Sequence, residues 1–241
     1  MVSQKPILVF QHMPAEHPGY LFDRLNADGI PYEILRLDQG AAIPDLRRYR
    51  ALWVLGGPMD VWEDDKHPWL IEEKRVIREA VLDLDLPYFG VCLGHQLLAA
   101  ALGGEVGPSA EAEMGVVDIR LNAAGLAHPL LAHQPPSLAL LQWHLAEVKN
   151  VPANLEILAS SKACPIHGIA LNDHVLSLQS HIEVSLETVR EWLDSPTAKQ
   201  QLEQHLGPDA SATFEVRAAD HMIDFNQAAD RLYEKLVRTL D

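Results

Sequence analysis

Cys92 stands between two glycines in the run Gly90-Val91-Cys92-Leu93-Gly94-His95-Gln96. An apolar stretch, Leu86 to Val91, precedes it, and an apolar helical stretch, Gln96 to Leu102, follows. A strand that turns sharply into a helix with a nucleophile at the turn is a nucleophile elbow, here built with sulfur in place of the commoner oxygen. Gly90 and Gly94 leave the room such a turn needs. The turn pushes Cys92 out of the sheet and aims the first amides of a helix at it. The partial positive charge of a helix N-terminus favours a thiolate.

A second segment supplies the rest of a catalytic set. Val175 to Leu178 reads as a buried strand, and His181 and Glu183 follow it two residues apart. Residues so spaced in an extended segment share a face, roughly 6.6 Å apart. Glu183 could accept a hydrogen bond from one imidazole nitrogen of His181 and leave the other to take a thiol proton. Nucleophile, base and orienting carboxylate then occur in the order Cys92, His181, Glu183.

Other residues weigh less. A buried structural thiol is the plain alternative for Cys92, but the glycine bracket and the strand-to-helix context oppose it. Cys164, in Lys162-Ala163-Cys164-Pro165, lacks that context and reads as a packing residue. His12, His17, His128 and His133 fall in loops and read as solvent-facing or loop-packing side chains. Neither an HExxH nor a CxxC pattern occurs, so no metal or other cofactor is expected. Gly56-Gly57-Pro58 ends a strand expected beside the elbow strand. Sites in open α/β sheets form at the carboxyl ends of strands. A backbone amide here is therefore expected to join that of Leu93 as an oxyanion hole, the alternative being an ordinary glycine turn. Glu63-Asp64-Asp65 reads as a solvated loop, and Trp143-His144 as either pocket lining or strand-end packing.

The elements that must position these groups follow from apolar periodicity. Strands are expected at Ile7–Phe10, Tyr32–Leu37, Ala51–Leu55 and, after Pro87, at the elbow. A helix is expected from Tyr20 to Ala27, with Leu21, Phe22 and Leu25 on one face. A second runs from Trp69 to Leu84 with a period near 3.6, Glu73 being its one polar break. Alternating strands and helices, with continuous apolar strands, argue for a parallel sheet covered on both faces. From Val116 the pattern changes to closely spaced strands at Val116–Leu121, Leu138–Trp143, Leu155–Ala159 and Ile166–Leu171. Val184 opens a helix with Ser185 as N-cap. A long helix is expected from about Ala212 to Leu240.

Composition narrows the classes. The chain has 241 residues, 48% of them apolar, and 34 acidic against 19 basic side chains give a formal charge of -15. That balance opposes nucleic-acid binding, which needs a basic patch. Two cysteines exclude a disulfide scaffold and point to a reducing, cytoplasmic setting. The N-terminal apolar run, Ile7 to Phe10, is too short for a signal-peptide core or a membrane span.

With these motifs in hand, the chain resembles class I (triad-type) glutamine amidotransferases over about residues 6 to 195. Gly90 to Gln96 is similar to that family's nucleophile motif, His181-Ile182-Glu183 to its His-Pro-Glu motif, and Gly56-Gly57-Pro58-Met59 to its oxyanion loop. Gln11-His12 with Pro18-Gly19, and Asp64 through Pro68-Trp69-Leu70, resemble a stand-alone subgroup similar to the glutaminase domain of GMP synthase. The chain departs from the family at Ser180 and Ile182, where Phe and Pro are usual. It departs again at Met114-Gly115-Val116, where an Ile-Gly-Trp type is common, and at Leu145-Ala146 after His144, where Gly-Asp is usual. These changes keep the triad and alter its surroundings.

The resemblance implies one amidotransferase-like domain over 1–241, with a helical extension at about 208–241. It implies an α/β fold, flavodoxin-like, with a mostly parallel central sheet, helices on both faces and a small mixed or antiparallel extension. It implies that Cys92 attacks the glutamine side-chain amide, His181 moves the proton and Glu183 orients His181. The amides of Gly57 and Leu93 would hold the oxyanion, and Gln96 would help position the substrate. Ammonia would pass to an acceptor on a synthetase partner chain, because no pyrophosphatase-type loop follows the triad. The alternatives are a free-standing hydrolase of γ-glutamyl amides or peptides and, third, a non-catalytic binding module. The expected ligand is glutamine or a γ-glutamyl compound, with no nucleic acid and no membrane partner.

Overall fold

Apolar runs of four or five residues make the first strands, and helices cross between them. A computed structural model describes residues 5–238 and Leu240. Residues 1–4, Thr239 and Asp241, at the ends of the expected domain and extension, lie outside the described residues. In chain order the elements are β1 (Ile7–Gln11), α1 (Gly19–Ala27), β2 (Tyr32–Arg36), β3 (Ala51–Val54), α2 (Trp69–Arg78), β4 (Tyr88–Val91) and α3 (Leu93–Ala101). Then come β5 (Glu105–Leu121), α4 (Ala123–Ala127), β6 (Ser137–Asn150), β7 (Glu156–Ser160), β8 (Gly168–Asn172) and β9 (Val175–Leu178). The chain closes with α5 (Leu186–Asp194), α6 (Pro196–Leu206) and α7 (Ala210–Arg238).

One nine-stranded sheet runs in the order β2-β1-β3-β4-β9-β8-β7-β5-β6. Its first five strands pair in parallel. The remaining pairings, from β9 to β6, are antiparallel. Leu21 and Leu25 of α1, with Val189 of α5, Leu202 of α6 and Phe225 of α7, pack on one face. Val76 and Ile77 of α2 and Leu97 and Leu98 of α3 pack on the other. The expected α/β fold with helices on both faces is therefore observed.

Two expectations need correction. The antiparallel part is not small: β5 and β6, at 17 and 14 residues, are the longest strands of the sheet. The first half of β5 buries no residue and holds Gly107 and Pro108, so it carries no apolar alternation to read. Pairing with β6, interrupted between Pro108 and Glu113, is what extends it. The sheet is thus parallel in one half only. The second correction is α2, which stops being α-helical at Arg78. A wider π turn follows, in which the Leu84 amide reaches back five residues to Glu79 O. That turn still buries Ala80 and Val81 before the chain swings to Pro87.

The C-terminal third holds one helix more than the pattern announced. Ser185 caps α5 by accepting from the Thr188 amide, with the Thr188 hydroxyl returning the contact. Ser195 then caps α6, which has Pro196 at its first position and ends at Gly207 with φ 93°. The long last helix begins two residues earlier than expected and packs on α1, β5 and β6. No helix among the described residues is long and apolar enough to cross a membrane.

Candidate active site

Parallel pairing puts the carboxyl ends of β1, β3, β4 and β9 on one edge, with Phe10 beside Val54, Val54 beside Gly90, and Val91 beside Leu178. The residues that follow these strands must meet there. Cys92 follows β4 and caps α3 with φ 51° and ψ -105°, a conformation that a side-chain-bearing residue adopts only under strain. Its amide donates to Leu178 O of β9 at 2.9 Å. Gly94 is what allows the turn, since a Cβ there would sit 2.1 Å from Val54 O. The Tyr88 hydroxyl donates to Gly94 O at 2.8 Å and pins the turn from the other side. Cys92 Sγ faces Trp143 O at 3.9 Å.

His181 leaves β9 and crosses to β6, where its amide donates to Leu141 O at 2.9 Å. That crossing carries the ring to the cavity wall that Cys92 also lines, where sulfur and imidazole interact electrostatically. Its Nδ1 meets Glu183 Oε1 at 2.7 Å, with both side chains 2% exposed. Nδ1 is thereby committed to the carboxylate and Nε2 is left for sulfur. Burial pushes the imidazole down, but the charge of Glu183, the sulfur of Cys92 and hydrogen bonds to both hold it well above its usual value. The imidazolium is therefore the favoured form beside the thiol. Glu183 is itself held by α1, whose Tyr20 amide donates to Glu183 O at 2.8 Å.

The glycine turn after β3 packs directly on the elbow, for a Cβ on Gly57 would come within 2.8 Å of the Leu93 side chain. Leu93 opens α3, so its amide has no partner inside that helix. The Gly57 amide belongs to the same planar unit as Gly56 O, and the two point opposite ways. Gly56 O accepts from His12 Nδ1 at 2.7 Å, and His12 Nε2 meets Glu73 Oε1 at 2.9 Å. His12 and Glu73 are both fully buried. With acceptors on both nitrogens the ring needs two protons. Burial disfavours that charge, but Glu73 and Gly56 O outweigh it and hold the His12 value up. Gripping Gly56 O from behind fixes the direction of the Gly57 N–H.

Cys92, His181, Gly57 and Leu93 line a cavity of about 530 Å³. Cys92, Leu93 and Gln96 form one wall, Trp143 and His144 of β6 another, and Trp192 and Gln201 of α5 and α6 a third. Trp143 Nε1 donates to Gln201 Oε1 at 2.7 Å, and the Trp192 ring stands edge-on to His181 at 4.7 Å between centroids. Three carboxylates, Glu16, Asp60 and Glu191, face the cavity, and no Lys or Arg does among the described residues. Glu16 sits closest to the centre: a Cβ on Gly56 would meet Glu16 Oε2 at 2.5 Å and His181 Cε1 at 3.0 Å. Burial and the nearby Glu183 charge push the Glu16 carboxyl up, while His181 pulls it back, and the net shift is upward.

A family model for class-I glutamine amidotransferases matches residues 19–194. The chain belongs to the class-I glutamine amidotransferase family. It is accordingly an enzyme of the hydrolase type. It is 31% identical to a glutamine amidotransferase-like protein of Salmonella typhimurium, YfeJ, over 86% of this chain and 83% of that one. It is 28% identical to gamma-glutamyl peptidase 3 of Arabidopsis thaliana over 74% of this chain and 72% of that one. A solved glutamine amidotransferase structure from Methylobacillus flagellatus superposes with a TM-score of 0.84 at 30% identity, covering 99% of this chain and 96% of that one.

In this family member the six residues singled out by sequence all reach the one edge, and Gln96 lines the cavity. Its side-chain nitrogen donates to Ala146 O and to Gln179 Oε1, both at 3.1 Å, which ties α3 to β6 and β9. Trp143 and His144 line the cavity, resolving the two readings of that pair. Cys164 is fully buried, and burial beside Glu147 and Glu113 pushes its thiol up to about 12. Sequence reasoning missed Glu16, Trp192 and the His12–Glu73 pair. One signal was present, because a lone carboxylate on the apolar face of α2 requires a buried partner.

Proposed function

We propose that Cys92, His181 and Glu183 hydrolyse the side-chain amide of glutamine through a γ-glutamyl thioester. The observation that carries this reading is the meeting of Cys92 and His181 on the wall of one cleft, with Glu183 hydrogen-bonded behind the imidazole. Cys92 sulfur, as thiolate, attacks the amide carbonyl carbon. The carbonyl oxygen takes the negative charge and is held by the amides of Gly57 and Leu93. His181 Nε2 gives its proton to the departing nitrogen, the C–N bond breaks, and ammonia leaves. Neutral His181 then takes a proton from water, whose oxygen attacks the thioester carbon. Collapse returns glutamate and the thiolate–imidazolium pair. The His12–Glu73 pair acts through Gly56 O as a positioning device for the oxyanion hole. Glu16 supplies negative charge where the substrate's α-ammonium group would lie.

A second reading keeps the chemistry and enlarges the substrate. About ten heavy atoms, each given the ~30 Å³ a water takes in the liquid, fill about 300 Å³. Glutamine would leave a large part of the cavity unfilled, which favours a γ-glutamyl amide or peptide whose leaving group occupies the rest. Under the first reading ammonia serves an acceptor on a synthetase partner. Under the second the protein works alone.

Treatment with a glutamine-like electrophile followed by mass spectrometry tests the shared chemistry. Labelling at Cys92, abolished by His181→Ala, is the expected result, and labelling at Cys164 instead would overturn it. A screen of glutamine against γ-glutamyl peptides, with wild type and Cys92→Ala side by side, separates the two substrates. Equal turnover by both proteins would dismiss both readings.

A further inference from the structure

A second constellation lies behind the cavity wall, on the antiparallel half of the sheet. Glu113 of β5 and His144 of β6 are directly paired across the strands. Glu113 Oε2 is 3.1 Å from His144 Nε2 and 3.7 Å from His167 Nε2, and His167 reaches the same point from the turn before β8. All three residues are buried, and their donor atoms lie within 4.8 Å of one another. His167 is fully buried and has no hydrogen-bond partner on either ring nitrogen, although Nε2 is aimed at the Glu113 carboxylate. An unpartnered buried imidazole is costly unless something outside the chain satisfies it.

We infer that Glu113, His144 and His167 form a binding site for a divalent transition metal of the zinc class. Two imidazoles and a carboxylate are the donor set such an ion takes. Donors held at ~2.1 Å in a tetrahedron stand about 3.4 Å apart, and the two separations to Glu113 bracket that spacing. The outer contacts match as well. His144 Nδ1 meets Ala146 O at 3.0 Å and Nε2 meets Glu113 Oε2 at 3.1 Å; an ion that displaced the Nε2 proton would find Nδ1 already committed to Ala146 O. Ser161 Oγ donates to the other carboxylate oxygen, Glu113 Oε1, at 2.5 Å, and so orients it. No HExxH or CxxC motif announces the site because its donors come from two strands and a turn. His144 also lines the catalytic cavity, one residue from Trp143 and two from Ala146, whose carbonyls face Cys92 and Gln96. A bound ion would brace that wall from behind. The inference does not depend on the substrate proposed above.

The test uses the full chain carrying Cys92→Ser, which removes the one thiol that would bind zinc in the cavity. After chelator treatment and reloading with zinc alone, elemental analysis is expected to give about one equivalent per chain. Glu113→Gln and His167→Gln, each checked for folding by circular dichroism, are expected to lower zinc affinity at least 100-fold. Ser161→Ala is expected to lower it about 10- to 100-fold, the range for an outer-shell partner. Should a variant fail to fold, X-ray absorption at the zinc edge of the Cys92→Ser protein is expected to show two imidazoles and one carboxylate. Failure to retain zinc, zinc retained equally by the folded variants, or a shell without imidazole would each overturn the site.

Discussion

Glu183→Gln is the most direct probe of the mechanism, because it removes one charge and almost no volume. Glu183 meets His181 at 2.7 Å with both side chains buried, so the pair is a charge-assisted hydrogen bond shielded from water. Burial is the largest influence on His181 and pulls it down, while the Glu183 charge is the largest that lifts it. Without that charge the imidazole becomes neutral and its proton no longer supports a thiolate. The glutamine amide can also present N–H to Nδ1 and leave the wrong tautomer facing sulfur. A charged hydrogen bond contributes about 1.5–3 kcal/mol, and mis-setting the tautomer of a triad histidine lowers turnover by up to about 10⁴-fold. The expected loss in kcat is about 10²- to 10⁴-fold, or about 2.7–5.5 kcal/mol of barrier. Hydrolysis of γ-glutamyl p-nitroanilide followed against pH is a suitable assay. In wild type the active ion-pair form persists until pH passes the raised His181 value. In the variant the alkaline limb of kcat/KM moves to lower pH. Stability follows the same sign: a histidine raised on folding stabilises fully below its ordinary value of 6.5 and loses that contribution as pH climbs through the folded value. A variant within about threefold of wild type, with an unmoved alkaline limb, would refute the assigned role of Glu183.

Four further outcomes are expected. Cys92→Gly relieves a backbone strain of order 1–3 kcal/mol at φ 51°, so it abolishes turnover while leaving the melting temperature unchanged or higher; a clear fall on calorimetry would contradict the strain. Gly94→Ala drives a Cβ against Val54 O and is expected to cost about 3 kcal/mol, lowering Tm by roughly 6–12 °C. Glu73→Gln leaves buried His12 without its counter-charge and turns the charge-assisted grip on Gly56 O into a weaker neutral hydrogen bond, so kcat falls about 10-fold with KM little changed; an equal rise in KM would argue against a positioning role. Glu16→Gln removes the charge proposed for the α-ammonium group and is expected to raise KM about 10-fold, with kcat within about threefold, in steady-state kinetics on glutamine.

The elbow was legible because everything it needs is local. Glycines at two-residue distance from Cys92, an apolar run before it and a helix after it all sit within about one turn of chain, and backbone sterics leave few other conformations. The spacing of His181 and Glu183 was legible for the same reason. The extent of β5 was not, since its first half, with no buried residue, takes its conformation from β6, about forty residues on. Helix α6 was passed over because only Leu202 of it is buried, too little for an apolar stripe.

The sequence by itself determined the nucleophile, its turn, the imidazole–carboxylate pair and the alternation that makes half of the sheet parallel. It did so through sterics and side-chain periodicity, which act over a few residues. Only the tertiary structure decided which of twelve histidines matter and what each one faces. His12 finds Glu73 sixty-one residues away, and His181 finds Cys92 across two neighbouring strands. His167 finds Glu113 only where the sheet sets β5 next to β7, the neighbour of β8. A buried charge is set by whatever the fold brings against it in a medium without water, and that neighbour is encoded by topology rather than by spacing along the chain.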